Sequence, residues 1–589
     1  MLPSILIAAV AATTGYRVAM PDPGSHFFHV QVRYEDVRAP LEFRFPSFSP
    51  GGWRIDEVAA NVLDLTAADG RGRPLAATKV TTKTWRIDRP ADGVAVVSYR
   101  IYANERGTPY TARLNDRLAH ANLACILGYV PERQRASARL SVAPFGDWTV
   151  ASSLAEAPDA KGSFGAADFD ALADGIVIAG HWTEMTFQEG GTRYRLEFSQ
   201  PPEQRDRKVV DDVRAIVREA SAVFGETPFD RYMFVYLLEP ETGRGGIEHL
   251  FGTSIGMPAD SFEEREAYRR FLGVTSHEFF HAWNVKRMRP AGLGPFDYTK
   301  EAPTHNLYVA EGFTSYYGGL VQARSGVIKR DEYFKSLAES LVTDRNNAGT
   351  KAKSLESFSW DWWLDSDIPY LTFRTNYTRG ALVALVLDLE IREATRGAHS
   401  LDDVMRGLYK RTGLRATGYT DAELREALAR DGAPGMDARL DALVRSPGTL
   451  DVAAALARAG IEVVPDPETP VGPATGWRST TKGTDFPVID WVEPGSPAAR
   501  AGLQDRDVLL ALGGRKLTAE KLDKEVARLA TGKTVEVAFF RDGMLRRVDL
   551  VPGDPLPPKL LVRDKEGAPD DKKALAKGWL APRAPQASK

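Results

Sequence analysis

Two histidines and a glutamate form the most informative pattern in the chain. His277 and His281 are four residues apart, and Glu278 directly follows the first. Residues at this spacing share one face of a helix, so both imidazoles can reach one metal ion. Glu278 can then take a proton from water that the ion activates. Because the apolar neighbours Phe279 and Phe280 favour a packed helix, the sequence predicts a catalytic metal centre rather than two structural histidines.

A hydrolytic zinc site needs three protein ligands and an open fourth position. Glu311 lies in the middle of an apolar helical segment, residues 307–317. An uncompensated carboxylate would be costly there, so Glu311 is the predicted third ligand. His305 is the alternative, although it lies in a Pro-Thr-His-Asn loop before that helix.

Two further segments could face a substrate. Gly245 and Gly246 would let a peptide approach the backbone closely and pair with it as a strand, and Glu248 would place a carboxylate beside that peptide. Tyr377 lies at the start of another helical pattern, and its phenol could donate a hydrogen bond to a developing oxyanion. The plainer interpretations are a turn with a solvated carboxylate for Glu248 and an aromatic packing residue for Tyr377.

The metal motif resembles the gluzincin peptidases, thermolysin-like enzymes with a Glu as third ligand. Within this group the chain is most similar to the glycyl aminopeptidases, which are zinc aminopeptidases that contain a PDZ domain. These enzymes share a long spacing between the second His and the Glu, which is 29 residues here. The resemblance covers roughly residues 25–555, and it rests most specifically on His277, Glu278, His281, Trp283, Glu311, Gly312, Phe313 and Tyr316.

The resemblance implies a set of metal ligands and a reaction. One Zn²⁺ per chain would lie on His277, His281 and Glu311, with Glu278 as general base and acid. The enzyme would be an aminopeptidase that prefers Gly or Ala as the N-terminal residue of a peptide.

The resemblance also implies roles for Glu248 and Tyr377. Glu248 would hold the free amine of the substrate, as in a G-x-M-E-N element, although His249 stands where related enzymes have Asn. Tyr377 would stabilise the transition state, as in a Y-x-K-G-A motif in which Arg379 replaces Lys.

The pattern of apolar, polar and turn-forming residues along the chain predicts a multidomain α+β protein. Short alternating runs separated by turn clusters indicate an N-terminal, mostly antiparallel β domain. Helical periodicity then dominates, as expected for a thermolysin-like, mainly helical catalytic domain. The predicted segments are a candidate signal peptide 1–20, the β domain 24–200, the zinc peptidase domain 203–462, a linker 463–480, a PDZ domain 481–555 and a flexible tail 556–589.

The PDZ prediction rests on residues 490–503, followed by Asp507 and a Gly513-Gly514 pair, which together resemble a bacterial PDZ domain. Such a domain adds a peptide as an extra strand. Peptide capture and a role as spacer or dimer contact are both compatible with this pattern.

Composition excludes several other classes of protein. The 589 residues are too many for one core, and 76 Lys and Arg against 79 Asp and Glu give a net charge of −3, which does not favour nucleic acid as a partner. Cys125 is the single cysteine, so disulfides within the chain and cysteine-rich metal sites are excluded. A metal site must therefore use the nine histidines and the carboxylates.

The N-terminus carries a short apolar run, residues 5–12, that ends in small residues and is typical of a signal peptide. This pattern favours a periplasmic or secreted protein, with a cytoplasmic one as the alternative. No internal run is apolar enough to predict a membrane span.

Two other functions stay open at this stage. A thermolysin-type endopeptidase would use the same metal chemistry without needing Glu248. A non-catalytic PDZ adaptor or chaperone on a peptidase scaffold is disfavoured by the intact Glu278. Peptides with a free N-terminus are the expected substrates, and a peptide is the candidate ligand of the PDZ domain.

Overall fold

The computed structural model covers most of the chain. It describes residues 13–105, 110–157, 162–202, 206–239, 245–364, 368, 371, 374–413, 415–467, 472–480, 485–555 and 559–583. The predicted signal-peptide run at residues 5–12 lies outside these residues. Among the described helices, none is long and apolar enough to cross a bilayer.

The N-terminal domain is built on strands that alternate between buried and exposed side chains, as in Phe27–Tyr34. Its largest sheet has eight strands, in the order β13-β14-β11-β1-β2-β8-β4-β5, and sheets of four and three strands pack with it around one hydrophobic core. The elements are β1 (Thr14–Ala19), β2 (Phe27–Tyr34), β3 (Leu41–Arg44), β4 (Val62–Asp69), β5 (Pro74–Leu75), β6 (Ala77–Lys79), β7 (Thr84–Ile87), β8 (Ala95–Tyr102), β9 (Ala112–Leu114), β10 (Leu118–Asn122), β11 (Ala138–Ala143), β12 (Thr149–Ser152), β13 (Ala155–Glu156), β14 (Ser163–Ala166), α1 (Phe169–Ala173) and β15 (Ile176–Gly180).

The predicted limits of this domain are wrong at both ends. Strand β1 lies inside the large sheet, between β11 and β2, so a signal peptide cannot extend to residue 20 as predicted. At the other end, Thr183–Glu189 and Thr192–Phe198 form a hairpin that joins the sheet of the catalytic domain through a parallel pairing with Arg231–Leu238. Alternation alone identifies a strand but not the sheet to which it belongs.

The catalytic domain combines a five-stranded sheet with a helical body. The strand order is β16-β17-β18-β20-β19, so β19, which carries the Gly245-Gly246 pair, lies at the edge of the described sheet. Its elements are β16 (Thr183–Glu189), β17 (Thr192–Phe198), α2 (Asp206–Phe224), β18 (Arg231–Leu238), β19 (Gly245–His249), β20 (Gly252–Met257), α3 (Arg265–Phe280), a π-helical turn (Tyr308–Phe313), α4 (Thr314–Ser325), α5 (Arg330–Arg345), α6 (Gly349–Ala352), α7 (Leu355–Trp360), α8 (Arg374–Ala394), α9 (Leu401–Thr412), α10 (Asp421–Ala427), α11 (Met436–Val444), α12 (Val452–Arg458) and β21 (Ile461–Pro465).

The small C-terminal domain is inserted into the catalytic domain rather than appended to it. Strand β21 before it pairs antiparallel with β30 after it, so the chain leaves and returns at one place. The predicted linker 463–480 is therefore partly ordered as strands, which its Pro- and Gly-rich composition did not indicate. The elements are β22 (Pro473–Ala474), β23 (Trp477–Thr480), β24 (Val488–Val492), α13 (Pro497–Arg500), β25 (Val508–Leu512), β26 (Arg515–Lys516), α14 (Leu522–Val526), β27 (Val535–Arg541), β28 (Met544–Leu550), β29 (Gly553–Pro555), β30 (Leu560–Asp564) and α15 (Asp570–Leu580).

The predicted flexible tail is wrong for its described part, because α15 docks on the catalytic domain. Trp579 is fully buried, and its indole N–H donates to the Tyr316 hydroxyl at 2.8 Å. The carbonyls of Gly578 and Trp579 accept hydrogen bonds from the buried guanidinium groups of Arg392 and Arg324, at 3.3 and 3.0 Å. The low apolar content predicted disorder, but one large aromatic and two carbonyls that satisfy buried cations outweigh it.

Candidate active site

Helix α3 carries His277 and Glu278 in its last turn, and His281 is its C-cap residue. The opposite face is anchored in the core by Phe271 and Phe279, which are fully buried. The two imidazoles therefore point into the same cleft, with their Nε2 atoms 3.1 Å apart. The predicted arrangement of the two histidines on one helix face is thus present in the structure.

Glu311 approaches both histidines from the π-helical turn that precedes α4. Its Oε2 atom lies 3.4 Å from Nε2 of His277 and 3.5 Å from Nε2 of His281. Single π turns of this kind are frequent at functional sites. His305, the alternative ligand, instead stacks on Trp360 with ring centroids 4.2 Å apart.

The spacing of these three donor atoms tests whether a metal ion fits. Tetrahedral ligands at about 2.0–2.1 Å from zinc lie roughly 3.3 Å from one another. The observed separations of 3.1, 3.4 and 3.5 Å agree with that value. Two neutral imidazoles and one carboxylate oxygen are also ligands that zinc prefers, so these residues fit a zinc ion.

Outer hydrogen bonds fix the orientation of these groups. Nδ1 of His281 lies 2.7 Å from the carbonyl of Asn284, which assigns the proton to Nδ1 and leaves Nε2 as a donor of electrons. Trp53, from the N-terminal domain, donates its indole N–H to Oε1 of Glu311 at 2.5 Å. Glu311 is thereby held so that its other oxygen, Oε2, faces the histidines.

Trp53 has an unusual backbone. Its φ of 50° lies in the left-handed region, where a bulky residue is strained, and such strain tends to occur at functional sites. The carbonyl of Trp53 accepts a hydrogen bond from the indole N–H of Trp362 at 2.7 Å, which helps to hold this conformation. Sequence reasoning missed Trp53, because the segment before it, residues 49–52, shows only the pattern of a turn between strands.

The electrostatics of the cleft favour a cation between these groups. Burial alone would lower the pKa of His281, but the carboxylates of Glu311 and Glu248 outweigh burial and raise that pKa to about 9. Burial would in turn raise the pKa of Glu311, yet His281 and His277 hold it well below its usual range. A site that attracts a proton in this way also attracts a metal ion, which displaces that proton.

The pKa and the surroundings of Glu278 suit a proton acceptor. Burial raises the pKa of its carboxyl well above the ordinary value, with His281 opposing and Glu248 and Glu311 adding to the rise. Its Oε2 has no hydrogen-bond partner among the described residues. Gly246 on β19 lies directly against this side chain, since a Cβ there would overlap the Glu278 carboxyl group.

Glu248 is buried beside the same centre, with a carboxylate oxygen within 4.8 Å of those of Glu278 and of a ring nitrogen of His281. Its Oε1 has no hydrogen-bond partner in the described part of the chain, and the nearest cation, Lys286, is 3.9 Å away. Gly51 of the N-terminal domain covers it: a Cβ at Gly51 would lie 2.6 Å from Oε2 of Glu248. Only glycine fits at Gly51, which also has a φ of 95°.

His249 and Arg379 stand where related aminopeptidases have Asn and Lys, and neither side chain contacts the metal ligands. His249 is fully buried, and its Nδ1 lies 2.8 Å from the carbonyl of Asp174 in the N-terminal domain. Arg379 pairs with Asp344 at 3.3 Å and also contacts the carbonyl of Gly448. Both side chains therefore hold neighbouring segments of the fold together.

Tyr377 lies on the first turn of α8 and is half-buried. Its ring stacks near that of His277, with centroids 5.9 Å apart, and Trp362 lies on its other side at 5.8 Å. Burial raises the pKa of its phenol well above the ordinary value, so the hydroxyl keeps its proton and can act as a donor.

One cavity of about 760 Å³ contains all the predicted site residues. The structure brings His277, His281, Glu311, Glu278, Glu248, Tyr377, Gly245 and Gly246 together in its wall. Trp53, Arg54 and Tyr110 of the N-terminal domain complete that wall. The cleft is therefore shared between two domains.

Two histidines and a glutamate that fit a metal ion, with the carboxylate of Glu278 between them and an edge strand, are the arrangement of a metallopeptidase. Residues 270–383 match the family model for M61 glycyl aminopeptidase, residues 15–181 that for the peptidase M61 N-terminal domain, and residues 488–539 that for a PDZ domain. The catalytic and N-terminal domains thus match the M61 glycyl aminopeptidase family, and the chain is a metallo-aminopeptidase. The predicted family, PDZ domain and α+β class are confirmed.

Two solved structures that align with this chain can be compared with it. An aminopeptidase N family protein from Idiomarina loihiensis superimposes with a TM-score of 0.89 at 24% identity, over 97% of this chain and 100% of its own. An M1 zinc metallopeptidase from Deinococcus radiodurans aligns with a TM-score of 0.47 at 14% identity, over 75% of this chain and 95% of its own. The first shows that the whole fold is shared. Among curated proteins, no sequence matches this chain.

The hydrogen bond from Trp53 to Glu311 generates a prediction. Trp53→Phe keeps an aromatic ring but removes the N–H donor, so Glu311 loses its restraint. We expect the affinity for a divalent metal ion to fall about 10- to 100-fold, as is typical when a partner of a metal ligand is removed. Competition with a chromophoric chelator measures this affinity directly.

Trp363→Phe is the matched control. Trp363 belongs to the same aromatic cluster, but its N–H donates to the carbonyl of Ala302 at 3.2 Å. Equal losses of metal affinity in both variants would mean that packing, not the bond to Glu311, is responsible.

Proposed function

We propose that the protein is a zinc-dependent aminopeptidase that removes an N-terminal Gly or Ala from peptides. The observation that carries this proposal is the position of Glu248. Its buried carboxylate lacks a hydrogen-bond partner for Oε1 among the described residues, and it lies within 4.8 Å of Glu278 and His281. A buried carboxylate oxygen without a hydrogen bond is costly unless a ligand supplies a donor. A protonated α-amine is such a ligand.

The metal in the proposal is zinc, one ion per chain, on His277, His281 and Glu311. Their spacing fits tetrahedral zinc, and with three protein ligands the ion would keep its fourth position for water or substrate, as a hydrolytic site requires. When bound, zinc lowers the pKa of water and polarises a carbonyl.

Glu278 is the proposed proton carrier. It accepts a proton from the attacking water at its free Oε2 and then delivers that proton to the nitrogen of the leaving amine. Its raised pKa suits this double task, since a carboxyl that readily takes up a proton can also pass it on.

Tyr377 is the proposed donor to the oxyanion. Its ring stacks on that of His277, which places the phenol in the cavity wall next to a metal ligand. A neutral hydroxyl there would strengthen its hydrogen bond as negative charge develops on the carbonyl oxygen.

Gly51 favours an aminopeptidase over an endopeptidase. An endopeptidase needs space for the chain on the amine side of the scissile bond, yet the turn that contains Gly51 packs directly against the Glu248 carboxylate. A blocked amine or a longer chain would have to displace that turn. The preference for Gly rests on the family description, and that for Ala on the sequence resemblance alone.

Two proposals concern the rest of the chain. The PDZ domain would take a peptide ligand by strand addition. Residues 5–12 would direct export to the periplasm or the cell exterior and be removed before β1 begins at Thr14. N-terminal sequencing of the protein from its host tests this, and an intact Met1 would contradict export by this route.

Two substitutions distinguish the role of a metal ligand from the role of the proton carrier. Glu311→Gln should weaken metal retention, because it removes the charged ligand. Glu278→Gln should keep the metal and lose activity by orders of magnitude, because an amide cannot take up the proton. Metal content by mass spectrometry, together with hydrolysis of a glycyl anilide, distinguishes them. Full zinc occupancy in Glu311→Gln would contradict the ligand assignment.

Tyr377→Phe removes one hydroxyl and should leave folding and zinc content unchanged. Loss of one oxyanion donor typically costs about 10²- to 10³-fold in kcat. The effect should appear in kcat rather than in KM, because the bond strengthens only in the transition state. Steady-state kinetics on a glycyl anilide tests this. An unchanged kcat would mean that Tyr377 serves only in packing.

The role of Glu248 predicts discrimination between free and blocked substrates. A charge-assisted hydrogen bond to the amine contributes about 1.5–3 kcal/mol, and acetylation removes it. Gly anilide should therefore be cleaved far faster than acetyl-Gly anilide, and Glu248→Ala should reduce that difference without changing zinc content. Similar rates for both substrates in the wild type would indicate an endopeptidase. A difference that persists in Glu248→Ala would mean that another carboxylate holds the amine.

A further inference from the structure

A second cavity adjoins the catalytic one. It has a volume of about 510 Å³ and lies among helices α3, α4, α5 and α8. We call it the distal compartment. The two cavities have five wall residues in common, so only these side chains lie between them. The shared residues are Gly273, Ser315, Gly319, Gln322 and Thr378.

The helices that carry the metal ligands also form the passage between the cavities. On α3, Gly273 lies one turn before His277, and on α4, Ser315 and Gly319 follow Glu311 at intervals of four residues. Gly273, Ser315 and Gly319 remain partly exposed although they lie within a helical body. Residues four apart share a helix face, so one open stripe runs from the metal ligands into the distal compartment.

Gln322 provides an unused acceptor in this passage. Its side chain is only 6% exposed and lines both cavities. Nε2 donates to the carbonyl of Gly318 at 2.9 Å, which fixes the orientation of the amide, and Oε1 has no hydrogen-bond partner among the described residues. A buried carbonyl oxygen of this kind requires a donor, and the main-chain N–H of a bound peptide is one.

The position of the distal compartment relative to Glu248 gives the direction of that peptide. Glu248 lies beside His281, while the passage opens at Gly273, two helical turns earlier. These positions are about 12 Å apart along the helix axis. A substrate held by its amine at Glu248 therefore reaches the passage with the part of the chain beyond the scissile bond.

We propose that the distal compartment binds the main chain of the leaving peptide, with Gln322 as a hydrogen-bond acceptor, so that the substrates are oligopeptides rather than dipeptides. This inference rests on the proposed aminopeptidase function. The compartment is larger than a single side chain, and the partly exposed Arg270 marks the end where a longer chain would reach solvent.

A length series of substrates tests this inference. The probes are Gly-Ala, Gly-Ala-Ala, Gly-Ala-Ala-Ala and glycyl anilide, compared by kcat/KM. In the wild type we expect kcat/KM to rise about tenfold once the peptide reaches Gln322, the gain that one buried hydrogen bond can provide. Gln322→Leu should remove most of that rise.

Gly273→Leu should abolish the rise of kcat/KM with peptide length, because the larger side chain obstructs the passage. A Cβ at Gly273 would meet only Nε2 of Gln322, at 3.6 Å, so a side chain added there starts beside Gln322 in the wall of the passage. Gly578→Leu is the matched control, because Gly578 is an exposed helix residue with no atom within 4 Å of an added Cβ. The readout is the ratio of kcat/KM for the longest and shortest peptides in each variant.

The possible outcomes separate this inference from the proposed function. A ratio that falls in Gly273→Leu but not in Gly578→Leu supports the distal compartment. A wild-type ratio near one overturns it, whether or not the variants fold, and so does an equal loss on all substrates in Gly273→Leu. A wild type that cleaves no glycyl substrate at all would instead contradict the aminopeptidase proposal.

Discussion

The negative charge of one buried carboxylate, Glu311, determines how the centre is built. Only 2% of this residue is exposed, so its charge must be balanced by neighbouring groups. The two histidines of α3 face one oxygen, and the indole N–H of Trp53 satisfies the other. These partners come from two distant parts of the chain, which makes the centre a product of the tertiary fold.

This constraint explains why the N-terminal domain forms part of the active site rather than being a separate accessory domain. One turn of that domain supplies Trp53 to Glu311 and packs Gly51 on Glu248. The left-handed backbone of Trp53 costs free energy locally. The hydrogen bonds of its indole and its carbonyl compensate for that cost only when both domains are docked. Metal binding and domain docking should therefore stabilise each other.

Local patterns in the sequence predicted the part of the site that depends on local geometry. The positions of His277 and His281 follow from helix periodicity, and Glu311 from the cost of a carboxylate in an apolar helix. Trp53 lies 258 residues from Glu311, and no periodicity links the two positions. The distal compartment and the domain limits were missed for the same reason, because they depend on which elements pack together.

The C-terminal segment shows the same principle at the periphery of the fold. Its composition predicts a mobile tail, yet Trp579 enters the core next to Tyr316, which lies on the helix that directly follows Glu311. Tyr316 in turn donates to Asp388 on α8 at 2.5 Å, so the tail completes a buried hydrogen-bond network between α4 and α8. The PDZ domain is thus connected to the catalytic domain on both sides, through β21 and through β30 with α15. Two anchored connections limit how far the domain can move, which one flexible linker would not do.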